Sequence, residues 1–222
     1  MLTRTFQLLK RNITKTNLRL FSAKVDGLKK IISSEIDHEE KNYSPVDQGD
    51  LDSFYKNSNF KFTESENSTR MELTKSESGY DIIINFSAKP PFPQDEAAPE
   101  NPEEKQPENM TEFTVRVCKK GEKSGLLIDA TLIDASFEFN SIQYHQDVNQ
   151  AYDHFYVQNK STDAYTGPEF NTLDERVQAE FSEFLSSLGV NEELGSFMQV
   201  LSVDKDQRLY LGWLKNVKKF LH

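Results

Sequence analysis

The sequence predicts an α+β fold, an antiparallel sheet flanked by one N-terminal helix and two to three C-terminal helices. Two observations carry this. Short β-branched and aromatic runs fill the middle of the chain, with connections too short for crossover helices. Towards the C-terminus the apolar spacing changes from two to three and four.

Taken in order, residues 1–21 hold Arg4, Lys10, Arg11, Lys15 and Arg19 and no acidic residue, and Phe6, Leu9, Ile13 and Leu20 can share one helical side. This is the composition of a mitochondrial transit peptide, and Arg19-Leu20-Phe21-Ser22-Ala23 places the expected cut before Ser22. The remainder, 22–222, is expected to form one domain of the mitochondrial matrix. No apolar run reaches the roughly 20 residues of a transmembrane helix.

Val25, Leu28, Ile32 and Ile36 predict a short amphipathic helix, followed by a polar loop from Asp37 to Asn57 with Pro45 and Gly49 as breakers. Strand-like runs follow at Phe60 and Phe62, Met71 and Leu73, Tyr80–Phe86, Glu112–Cys118, Leu126–Ile133, Phe137–Tyr144 and Phe155–Gln158. Ser78-Gly79 and Lys120-Gly121 are the turn residues between some of them. The alternation of Phe113, Val115 and Val117 implies one packed face and one wetter face.

The stretch 89–109 interrupts the strands. It carries six of the eight prolines, and Asp95, Glu96, Glu100, Glu103, Glu104 and Glu108 have only Lys105 as a basic residue among them. Such a segment builds neither ladder nor core and is expected to be a mobile acidic loop able to meet basic partners.

In the C-terminal part, Thr172-x-x-Glu175 reads as a capping box ahead of a stripe of Leu173, Val177, Phe181, Leu185 and Leu188. Gly189 can stop that helix and Asn191 can cap the next, with Leu194, Phe197, Met198 and Leu201 on its buried face. Asp204-x-x-Gln207 is expected to open a third helix, whose Tyr210, Trp213, Leu214, Val217 and Leu221 line up at helical spacing. The stripe formed by Leu173, Phe181, Tyr210, Trp213, Leu214 and Val217 is more apolar than one small sheet requires, so part of it is expected to lie between subunits. Truncating Trp213 is expected to lose both fold and assembly.

Charge narrows the function. The net charge is −10, but without the first 21 residues there remain 21 basic against 36 acidic residues. Such a field repels phosphates, which argues against direct nucleic-acid binding, and attracts cationic proteins. No phosphate-binding glycine motif, nucleophile elbow or paired-histidine motif appears, so no catalytic residue, cofactor or metal site is assigned and the chain is read as non-enzymatic. A lone cysteine, Cys118, rules out an intramolecular disulfide and reads as a buried structural residue.

The C-terminal pattern is more specific than its periodicity. Tyr165-x-Gly167-Pro168-x-Phe170-x-x-Leu173-Asp174-Glu175, then Phe184-Leu185-x-x-Leu188-Gly189-Val190-Asn191, then Asp206-Gln207-x-x-Tyr210-Leu211-x-Trp213-Leu214 resembles the mitochondrial acidic matrix protein family. This is also called the mitochondrial glycoprotein family and includes the receptor for complement globular heads. The strand Tyr80–Phe86 ahead of the acidic Pro/Glu-rich stretch fits the same pattern. The resemblance implies a highly twisted seven-stranded antiparallel sheet with one N-terminal and two C-terminal helices, assembled as a doughnut-shaped trimer. It also implies a chaperone-like scaffold that binds basic mitochondrial proteins in support of mitochondrial translation and oxidative phosphorylation. The alternative is a structural subunit of a respiratory or ribosomal assembly, as a homotrimer or a heterotrimer with paralogues.

Overall fold

A computed structural model of the chain describes residues 24–88, 110–133, 136–161 and 165–221. Residues 1–21, expected to be a transit peptide, and the acidic stretch 89–109 therefore lie outside the described residues. Two compact units form: one from Pro45–Asp206, the other from residues 24–44 together with 207–221.

The larger unit is a six-stranded antiparallel meander in sequence order. Its strands are β1 (Lys61–Glu64), β2 (Arg70–Glu77), β3 (Tyr80–Ser87), β4 (Met110–Lys119), β5 (Gly125–Ile133) and β6 (Ser136–His145). The β2–β3 hairpin turns on Ser78 and Gly79, with φ of 52° and 83°. Two successive positive φ values give a turn whose twist matches that of the flanking strands. The register, Glu77 opposite Tyr80 and Leu73 opposite Ile84, follows from that two-residue turn.

Seven strands are expected from the sequence, and six form among the described residues. The run at Phe155–Gln158 is not a strand. Asp147 caps a short helix α3 (Val148–Tyr152) by accepting from Gln150 N at 3.0 Å, and the chain continues into one π-type turn, Asp153–Val157. Phe155 and Tyr156 pack there against Cys118, Leu127 and Val148. Packing onto the sheet outweighs the strand preference of the aromatic run.

The period-2 pattern decides the core. Phe113, Val115 and Val117 of β4 lie beside Phe86, Ile84 and Ile82 of β3 and Ala130, Ile128 and Leu126 of β5. All but Leu126 are at most 3% exposed. Their face is covered by α2 (Gln48–Ser58), α4 (Glu175–Ser187) and the first part of α5 (Glu192–Phe220), with Phe54 stacked on Phe197 at 3.6 Å between ring centroids. Helix α2 replaces most of the polar loop expected before β1. Asp47 caps it, accepting from Gly49 N at 2.7 Å, and Asn59 closes it in a left-handed conformation.

Two further expectations are corrected. Asp174, not Thr172, caps α4 by accepting from Arg176 N at 3.0 Å, while Thr172 sits in a 3-10 turn and donates to Glu169 O. No helix opens at Asp204, because α5 runs unbroken through it; its opening cap is Asn191, as expected, accepting from Leu194 N at 3.1 Å. Gly189, at φ 89°, ends α4 as expected.

The smaller unit pairs helix α1, residues 24–42, with the C-terminal part of α5. Ile32 and Ile36 meet Leu214, with Leu211, Val217 and Leu221 beside them, whereas Leu28 is left exposed. Tyr210 donates to Glu35 at 3.1 Å, Gln207 donates to Glu39, and Lys215 pairs with Glu40 at 2.8 Å.

Within the larger unit, Lys205 on α5 is completely buried. Its ammonium donates to Ser65 O at 2.7 Å and pairs with Glu64 at 3.1 Å. Three helical positions earlier, Ser202 donates to Ser87 O at 2.9 Å. These polar ties fix α5 over the β1–β2 turn and the end of β3. Lys205→Ala removes the ammonium that the Ser65 carbonyl accepts from and empties a fully buried side-chain site, so urea denaturation should show a loss of about 3 kcal/mol.

Candidate partner-binding site

The second face of the sheet is polar, and β4 again sets it. Glu112, Thr114 and Arg116 alternate with the core residues and point away from them. Arg116 is 7% exposed, so its guanidinium needs partners. Nη1 donates to Asn149 Oδ1 at 2.5 Å, and Nη2 donates to Asn85 Oδ1 at 2.7 Å and Glu72 Oε2 at 3.3 Å. The group also lies over the Tyr152 ring, 4.2 Å from its centroid. One side chain thus joins β2, β3, β4 and α3, and holds α3 on this face.

Beside that hub lies a cavity of about 380 Å³, lined by residues of β2 to β6 and by Tyr152 and Tyr156. Glu112 and Thr114 come from β4 and Asp129 from β5, with Thr114 directly opposite Asp129. Asn140 of β6 enters through a bulge. The register passes from Asp129–Ser141 to Ala130–Phe139, so Asn140 is the extra residue. The bulge also keeps Phe139 and Ile142 on the apolar face although their numbers differ in parity. Asn140 Nδ2 donates to Thr131 Oγ1 at 3.0 Å, which leaves its carbonyl as an acceptor. Arg70 borders the cavity, and its Nη2 donates to Tyr156 O at 2.9 Å.

Electrostatically the cavity is unbalanced. Burial, with the Glu112 charge adding to it, raises the Asp129 carboxyl above the usual carboxylate range, against a backbone hydrogen bond from Ala130 that lowers it. Among the described residues no basic side chain pairs with Asp129 or Glu112. The Thr114 hydroxyl is buried without a hydrogen-bond partner among the described residues. Burial likewise raises the Cys118 thiol, which disfavours a reactive thiolate.

The site residues expected from the sequence are dispersed. Asp95, Glu96, Glu100, Glu103, Glu104 and Glu108 lie outside the described residues. Leu173 and Phe181 belong to the larger unit and are half-buried; Phe181 borders a 570 Å³ groove with Val177 and Phe184 on α4. Only the C-terminal end of that stripe, Leu185 and Leu188, enters the core. In the smaller unit Leu214 is 3% exposed and Val217 half-buried, so both serve the α1–α5 packing. Tyr210 and Trp213 stack on each other at 6.1 Å and face outward, Trp213 at 58% exposure. That exposure removes the reason to expect loss of the fold when Trp213 is truncated.

Glu112, Thr114, Arg116, Asp129 and Lys205 were not singled out by sequence reasoning. The signal for the first three was present, since polar and charged residues at every second position of an otherwise apolar strand mark a built polar face.

Comparison with known proteins places this geometry. The model of the family described as mitochondrial glycoprotein matches residues 32–221. The chain belongs to the mitochondrial glycoprotein family. It is 29% identical over 109 residues to the mitochondrial acidic protein mam33 of Schizosaccharomyces pombe, a match spanning 49% of this chain and 40% of that protein. It is 40% identical over 58 residues to an uncharacterized mitochondrial protein of Arabidopsis thaliana, across 26% of this chain and 23% of that one. Both matches span less than half the length of the relative.

Two solved structures share the fold. A Leishmania major protein, described as of unknown function and a sequence homologue of human p32, superposes with a TM-score of 0.68 at 20% identity, covering 90% of this chain and 99% of its own. The p22 protein of Trypanosoma brucei gives 0.67 at 19% identity, covering 90% and 100%. Among the described residues no helix is long and apolar enough to cross a membrane.

The cavity carries a pH signature within this family fold. A carboxyl raised in the folded state binds its proton more tightly there than in the unfolded chain, so stability falls as pH rises from the ordinary Asp value through the folded one. Asp129→Asn should therefore stabilise the protein at pH 7 and match wild type near pH 3, as read by thermal denaturation across that range.

Proposed function

We propose that this member of the mitochondrial glycoprotein family is a non-enzymatic, trimeric acidic scaffold of the mitochondrial matrix that binds basic proteins. The observation that carries the reading is charge in excess of internal pairing. Outside the first 21 residues, 36 acidic residues stand against 21 basic ones, and two of the carboxylates, Glu112 and Asp129, line an open polar cavity without a basic partner among the described residues. Such a surface speeds encounter with cationic proteins and holds them through salt-sensitive contacts. Residues 1–21 serve as the transit peptide that delivers it, and the acidic side chains from Asp95 to Glu108 extend the binding surface. The mitochondrial descriptions of the fission-yeast and Arabidopsis relatives support the compartment. Support of mitochondrial translation and oxidative phosphorylation follows as the role of such an adaptor.

Quantitative affinity purification from mitochondria tests this. Basic proteins should be recovered at low salt and largely lost at about 0.5 M, where the screening length falls to roughly 4 Å. Recovery of partners at fixed stoichiometry and unchanged by salt would instead make the chain a structural subunit of a larger assembly.

Assembly rests on the exposed apolar helix faces, Tyr210 with Trp213 on α5 and Val177 with Phe181 on α4. Light scattering of the chain from residue 22 should give three times the monomer mass. Trp213→Ala should lower that mass and keep the fold, whereas Leu214→Ala should cost about 2–5 kcal/mol of folding stability. A wild-type monomer would contradict the trimer.

A further inference from the structure

We infer that the cavity on the polar sheet face is a receptor for one arginine side chain of a bound basic protein. The inference rests on the acidic-scaffold reading and gives it a specific contact. Three observations converge.

The first is the donor–acceptor balance. The side chains that reach the cavity from β4, β5 and β6 offer acceptors: the carboxylates of Glu112 and Asp129, the hydroxyl of Thr114 and the remaining carbonyl of Asn140. A guanidinium brings only donors, in a planar fork suited to several oxygen acceptors at once.

The second is the unpartnered Thr114 hydroxyl. Thr114 is 6% exposed and lines the cavity, and strand pairing sets it between Asn85 and Asp129, which line it too. Its oxygen has no hydrogen-bond partner among the described residues. Leaving such a group unpaired costs about 1–3 kcal/mol, so a polar occupant is required. The amide of Asn85 does not supply it, being engaged with Glu72 and Arg116.

The third is the aromatic wall. Tyr152 and Tyr156 stack at 5.5 Å between centroids and form one side of the cavity. Arg116 already lies over Tyr152, so the ring of the wall left to a second guanidinium is that of Tyr156. A compact ammonium would use neither the breadth of a 380 Å³ cavity nor the ring as well as a planar cation does. Arg70 at the border does not neutralise the site: one guanidinium, engaged with the Tyr156 carbonyl, faces two carboxylates.

Charge favours a basic polypeptide as the source: outside the first 21 residues 36 acidic residues stand against 21 basic ones, a field that draws in cationic chains.

Ligand-observed NMR on the full domain, with N-acetyl-arginine methylamide as probe and the lysine analogue as control, tests this. Saturable binding of the arginine probe is expected, at least threefold tighter than the lysine probe. Asp129→Asn should weaken it about tenfold, and Thr114→Val, nearly isosteric, should weaken it severalfold with circular dichroism unchanged. No saturable binding, equal binding of the two probes, or undiminished binding by Asp129→Asn would overturn the assignment. Capture of basic mitochondrial proteins by the same wild-type preparation separates the two claims. If capture persists and the probe fails, the cavity assignment falls and the scaffold stands; if capture fails at low salt, the scaffold reading itself falls.

Discussion

A buried guanidinium on the central strand is the constraint on which the polar half of the molecule depends. Arg116 sits on a strand covered on both sides, and a charge there is tolerable only with nearly every direction filled. Glu72, Asn85, Asn149 and the Tyr152 ring fill most of them. Meeting that demand draws polar residues onto the facing positions of β2 and β3 and fixes α3 where an open sheet would otherwise expose Leu127 and Cys118. The aromatic wall of the neighbouring cavity is a consequence, because Tyr152 and Tyr156 stand where α3 and its π-type turn put them. Removing the charge alone would leave Glu72, Asn85 and Asn149 to rearrange, so the hub is structural first and shapes the site second.

The apolar half obeys a simpler rule. Alternation in β2 to β5 sends Leu73, Ile84, Val115 and Ile128 to one side, and three helices cover them. Burial of this kind is non-directional, so it specifies a face without dictating which helix residue meets which strand residue. Directional ties supply that choice. Lys205 to Ser65 and Glu64, and Ser202 to Ser87, select one placement of α5 within the larger unit. Several apolar residues stay exposed outside this rule, Ile31, Tyr144, Tyr165 and Phe220 among them, and with them Val177, Tyr210 and Trp213. Of these, Val177, Tyr210 and Trp213 belong to the helix faces proposed for assembly.

The sequence made legible whatever depends on local pattern. The strands from Phe60 to Tyr144, the Ser78-Gly79 turn, the Gly189 stop and the Asn191 cap all follow from side-chain alternation or turn chemistry, and all form. Features decided by tertiary contacts were not legible. Phe155 and Tyr156 look strand-like by composition but become helical on finding Cys118 and Leu127. Helix α2 buries only Phe54 fully, too little to set a stripe within a polar stretch. Asp204-x-x-Gln207 matches a helix-start signature but sits inside a longer helix, where the neighbouring Lys205 is buried. The cavity was hidden for the same reason, since Glu112, Thr114, Asp129 and Asn140 come together only through strand pairing and one bulge.

The central claim is that carboxylates of the polar sheet face engage basic partners. Carboxylate footprinting by carbodiimide coupling, read by mass spectrometry with and without an arginine-rich peptide, addresses it residue by residue. The account predicts selective protection of Glu112 and Asp129, with Glu175, Glu180 and Glu183 on α4 labelled equally in both states. Protection confined to α4, or none on the sheet face, would contradict it.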